Sequence, residues 1–136
     1  MRFSVKVVAM AALTAVVAWM GGANAEDKKP LEVSGVMKCQ NSVRSELGKL
    51  AKAKEVNWED ASKKSKTWLA AAEDLGKNKP KLGDEKSWKE QTEKYVSNVK
   101  AVDDAVAKKD ATALTKSLAT FGASCGGCHS KHKPKN

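Results

Sequence analysis

The chain has 136 residues, 30% of them charged, and a formal net charge of +9, a size that suits one domain with a modest core. Its lysines are spread along the sequence instead of being clustered, which argues against nucleic acid and favours acidic protein partners met at salt-dependent rates. No carboxylate pair, nucleophile–base set or phosphate-binding loop stands out, so no enzyme chemistry is expected.

The opening stretch MRFSVKVVAMAALTAVVAWMGGANA has a basic start (Arg2, Lys6), an apolar run from Val7 to Met20 and a small-x-small end at Ala23-Asn24-Ala25. It reads as a secretory signal over residues 1–25, cleaved after Ala25. The apolar run is short for a membrane span, and Glu26-Asp27-Lys28-Lys29 follows at once, so no stable membrane insertion is expected. The mature domain is then residues 26–136, soluble and periplasmic. Loss of Arg2 and Lys6, in a segment without acidic residues, leaves it at +7.

The rest of the chain predicts helix throughout. The first helix spans about 31–54, with Val36, Val43, Leu47 and Leu50 as its apolar stripe and Val33 beside it. Asn57 is placed to cap a second helix, with Asp60 three residues on. Ala61, Trp68, Ala72 and Leu75 make its stripe, Gly76 its stop, and KNKPKLG the linker that follows. Asp84 starts a third helix bearing Trp88, Gln91, Tyr95, Val99, Val102 and Val106. After KKD, Asp110 caps a fourth with Leu114, Leu118, Phe121 and Cys125 on one side. Four amphipathic helices with short connections predict an all-α fold, an antiparallel four-helix bundle.

The fourth helix ends in ASCGGCHSKHKPKN. Cys-x-x-Cys-His is the attachment signature of c-type haem. On a helix, Cys125 and Cys128 share a side from which both thiols can form thioethers. His129, four residues after Cys125, can present a ring nitrogen to the iron from the same face. Three other uses of these residues remain open. A redox dithiol normally sits at a helix N-terminus after a strand. A zinc site of Cys125, Cys128, His129 and His132 needs four donors to converge from eight helical residues. A disulfide between Cys125 and Cys128 constrains almost no chain. One covalently bound haem c per chain is the leading expectation.

A signal segment, four amphipathic helices and the haem motif on the last of them resemble the class II cytochromes c, the cytochrome c′ family. The resemblance covers the whole mature chain, and it rests on the motif together with its C-terminal placement. It implies a haem carried by the last helix of the bundle, through Cys125 and Cys128, with His129 as the proximal ligand. It also poses a choice. Members with a methionine from the first helix on the distal face are low-spin and carry single electrons, whereas five-coordinate members bind nitric oxide or carbon monoxide.

Met37 is the only methionine outside the signal segment, since Met1, Met10 and Met20 lie within it. It stands early in the first helix, at the position that resembles the family's axial methionine, and His132 lies on the proximal side with His129. Six-coordination by His129 and Met37 implies electron transport; an open distal face, with Met37 filling a gap in the core, implies gas binding. The family often has a basic residue near a propionate one turn before the distal position. Here that residue is Val33, and Lys38 or Arg44 are the candidates to compensate. Phe121, Leu118 and Trp88 are candidates for the pocket wall. Lys131, Lys133 and Lys135 favour redox partners with acidic faces. Cys39 points away from the ligand direction, either into the core or toward a second copy in a homodimer.

Overall fold

The computed structural model describes residues 28–135, so the expected signal segment, residues 1–25, lies outside the described residues. Among the described residues there are four helices, α1 (Val33–Leu50), α2 (Trp58–Leu75), α3 (Glu85–Ala107) and α4 (Ala111–His132), and no strand. None is long and apolar enough to cross a membrane.

Three helix starts follow from local chemistry. The side chains of Asn57, Asp84 and Asp110 accept from the backbone N–H of Asp60, Ser87 and Ala113 at 3.0, 2.7 and 2.8 Å. Each satisfies a donor that the first turn leaves unpaired. α1 has no side-chain cap. Leu31, two residues before it, is tied to α2 and the linker that follows: its N–H donates to Asp74 at 3.0 Å, and Asn78 donates to its carbonyl at 2.9 Å.

α1 stops at Leu50, short of the expected 54, because the apolar stripe stops there. Lys52 and Ala53 bond back to Lys49 and Leu50, tightening the last turn into a close. α3 ends with Lys109 at φ +54°, its N–H bonded to Val106 and that of Asp110 to Ala105. This paired closure is one that glycine would adopt without strain.

The stripes meet as the periodicity predicts. Leu47, Trp68, Val102, Leu114 and Phe121 are fully buried in one cluster shared by all four helices. Full burial of an aliphatic or aromatic side chain of this kind contributes about 1.5–3 kcal/mol before chain entropy is counted. Trp68 and Phe121 meet edge to face at 4.7 Å, and Tyr95 meets Phe121 at 5.1 Å. A second cluster, Val36, Leu75 and Trp88, lies apart from the first.

Packing is extensive between α1 and α2, α2 and α3, and α3 and α4, consistent with a bundle, whereas α1 and α4 barely touch. Both cavities described below open along that α1–α4 seam.

Candidate functional site

α1 turns Val36, Gln40, Val43 and Leu47 inward. The 3.6-residue period therefore carries Met37, the neighbour of Val36, to the edge of the same face. α4 buries Leu114, Leu118 and Phe121, and the next positions on that face are Cys125 and Cys128. The two edges border a cavity of about 310 Å³. Met37, Cys125, Cys128 and His129 all line it, so the four residues expected from the sequence to serve one site share one space. Trp88, Gln91, Lys94 and Tyr95 of α3 complete the wall.

Met37 and Cys128 pack against the same small cluster of Val36, Leu75 and Trp88, from opposite sides of the seam. All three cysteines are free thiols of intermediate exposure. Burial, and next the neighbouring Cys125 sulfur, pushes the Cys128 thiol above its ordinary pKa. Cys125 donates weakly to the Phe121 carbonyl at 3.6 Å. Cys39 packs against the main core instead, and burial raises its pKa too.

The two histidines differ sharply. His129 is exposed at the cavity rim. His132 is 7% exposed, with Nδ1 2.7 Å from the Leu82 carbonyl and Nε2 3.1 Å from Ser87 Oγ. A carbonyl can only accept, so Nδ1 carries a proton and Nε2 is left to the Ser87 hydroxyl. Both ring nitrogens are engaged. Among the described residues no three of His, Cys, Asp and Glu are gathered as a metal site, so the zinc alternative lacks its geometry.

Two expectations are corrected. Of the proposed wall residues only Trp88 borders the cavity, since Phe121 and Leu118 are buried in the main core cluster. Lys38 and Arg44 do not border it either. Arg44 lies against Gly122 and lines a separate open groove of about 460 Å³. The basic side chains at the cavity are Lys94 and Lys133.

A polar chain that sequence reasoning missed runs into the wall. Trp68 Nε1–H donates to the Tyr95 hydroxyl at 3.1 Å, which donates to Gln40 Oε1 at 3.1 Å. Gln40 Nε2 donates in turn to Asn41 at 3.3 Å. Burial drives the Tyr95 pKa up to about 12. The spacing of Gln40 on the stripe was the available signal, but a glutamine does not announce burial without its partner.

The lining thus combines the apolar side chains of Val33, Leu75 and Trp88 with two free thiols, a thioether, an imidazole and two lysines. Compared with protein-family models, with characterised proteins and with solved structures, the chain matches none.

Proposed function

We propose that this chain is an exported monohaem c-type cytochrome of the class II kind, an antiparallel bundle that carries single electrons in the periplasm. What supports the reading is one observation: Met37, Cys125, Cys128 and His129 line a single cavity, while the rival ligand His132 has both ring nitrogens engaged.

In this reading Cys125 and Cys128 would hold haem c through thioethers, and His129 and Met37 would supply its iron with an imidazole nitrogen and a thioether sulfur. Bound haem supplies a one-electron iron couple whose potential the protein tunes. Met37 would supply a neutral thioether, a ligand that favours ferrous iron and would leave small gases no open place on it. Lys94 and Lys133 at the cavity would offset the charge of haem carboxylates, and Leu75 and Trp88 would exclude water from the bound group. The exposed lysines beside the motif guide acidic redox partners.

A second reading has its own support. Met37 packs against Val36, Leu75 and Trp88, as a methionine filling a gap does. A Met37 held there leaves the distal face open to nitric oxide or carbon monoxide. The visible spectrum of the haem-loaded protein, oxidised and reduced, with and without carbon monoxide, decides between them. Electron transfer predicts a low-spin spectrum that the gas does not move, turned high-spin and gas-sensitive by Met37→Ala. A native spectrum that is high-spin and shifts with the gas establishes the second reading. Absence of haem bands after expression in a host that matures c-type cytochromes overturns both.

A further inference from the structure

His129 lies in the last turn of α4, four residues from the C-cap Lys133, whose N–H bonds to the His129 carbonyl at 3.2 Å. Helix ends of this kind fray, because their final carbonyls lack partners within the helix. A ligand carried there has a poorly defined direction unless something outside the helix fixes it.

His132, one turn further on, makes the tertiary contacts that do so. Its Nδ1–H donates to the Leu82 carbonyl in the linker and its Nε2 meets Ser87 Oγ in the first turn of α3. Its ring stands edge-on to Trp88 at 5.3 Å. Trp88 is itself held to the linker, donating from Nε1 to the Asn78 carbonyl at 2.7 Å. The linker is shaped to the imidazole. Gly83 has φ +80°, and a Cβ there would lie 2.6 Å from His132 Nδ1 and 3.0 Å from the Lys131 carbonyl. Only glycine meets both demands.

We infer that His132 is a positioning residue, a clasp that fastens the last turn of α4 to the α2–α3 linker and so fixes the direction in which His129 presents its imidazole. The clasp stands on the contacts above, and its consequence for His129 rests on the haem reading. His132 does this without ligating, and it links the motif to Trp88 of α3, which also lines the cavity.

The test uses the full chain with and without haem, comparing His132→Phe, which keeps ring volume and the edge contact with Trp88, with His132→Asn, which keeps a donor near the position of Nδ1. Without haem, amide exchange at residues 131–133 accelerates about tenfold or more in His132→Phe and less in His132→Asn. Gly83→Ala, which pushes on the ring from the linker side, gives the same local opening with circular dichroism unchanged. With haem, His132→Phe retains covalent attachment but broadens the electron paramagnetic resonance signal of the ferric iron and shifts the potential, with partial rescue in His132→Asn. Unchanged exchange in His132→Phe and Gly83→Ala overturns the clasp. Faster exchange with an identical resonance signal and potential overturns the positioning role. If the native chain takes up no haem, the positioning role falls with the haem reading, and the exchange result alone judges the clasp.

Discussion

At one end of the molecule Leu47, Ala61, Val102 and Leu114, one from each helix, meet in a buried core that Trp68 and Phe121 extend toward the middle. At the other end only Val36, Leu75 and Trp88 are gathered, beside a cavity of about 310 Å³. The same four helices build both ends. The difference lies in what faces the α1–α4 seam. Toward the hollow end those positions hold Met37, Gln40, Ser124 and Cys128, and the polar Gln40 and Ser124 among them need hydrogen-bond partners that an apolar core does not offer. The filled end supplies stability and the hollow end a site, and a small domain built this way gains stability when an apolar group fills it. Tyr95 stands at the border, its ring against Phe121 and its hydroxyl aimed at Gln40.

The largest effect breaks the hollow end. On the proposed haem reading, replacing both thiols, as Cys125→Ala with Cys128→Ala, abolishes covalent attachment, read as loss of haem stain on a denaturing gel, while the helical circular dichroism of the chain persists. Haem that stays attached through denaturation in the double variant would sink the thioether assignment.

Trp68→Ala breaks the filled end. It empties a fully buried site, removes the edge contact with Phe121 and takes a partner from the Tyr95 hydroxyl. A cost of about 3–5 kcal/mol is expected in urea unfolding, against about 1–2 kcal/mol for Met37→Ala in the haem-free chain, since Met37 is only partly buried and already borders a cavity. Equal costs would deny that the two ends differ.

Tyr95 tests the border by pH. Its folded pKa is raised, by burial first, from 10.0 to about 12, so the folded chain holds this proton more tightly than the unfolded chain does. The resulting stabilisation is complete below pH 10 and is lost as the pH climbs through 12, a change of about 2–3 kcal/mol from this group. Tyr95→Phe removes that share of the alkaline decline, measured as the difference between the two stability–pH curves. Parallel curves would mean that the hydroxyl is not buried.

The smallest effect has the opposite sign. Lys109→Gly relieves the φ of +54° at the α3–α4 turn and raises stability by about 0.5–1 kcal/mol, seen as a higher urea midpoint with an unchanged slope. The change lies far along the chain from the motif and leaves the haem spectrum as it was.

The helices were legible because their signals are local. Asn57, Asp84 and Asp110 cap where their side chains reach three residues forward, and Val36, Val43 and Leu47 mark a stripe by spacing alone. The candidate site residues were legible for a different reason: the Cys-x-x-Cys-His spacing is itself chemistry, and Met37 stood out by being alone. The wall was not legible. Phe121 and Leu118 share a stripe with Cys125, but where along that stripe the core gives way to the cavity depends on how far α1 stands from α4, which no local pattern encodes. Gln40 and His132 were missed as buried groups because their partners Tyr95 and Ser87 lie 55 and 45 residues away.

By itself the sequence determined that the described residues are helical, where α2, α3 and α4 start, which face of each helix is apolar and which helix carries the paired thiols and imidazoles. Helix propensity, capping and amphipathic period act within a few residues and can be read there. Only the tertiary structure decided that Met37 comes to share a cavity with Cys125, Cys128 and His129, that Lys94 and Lys133 form its basic rim, and that His132 is bound to the linker. Those outcomes depend on the distance between helices far apart in the chain, which is set by the summed packing of all four.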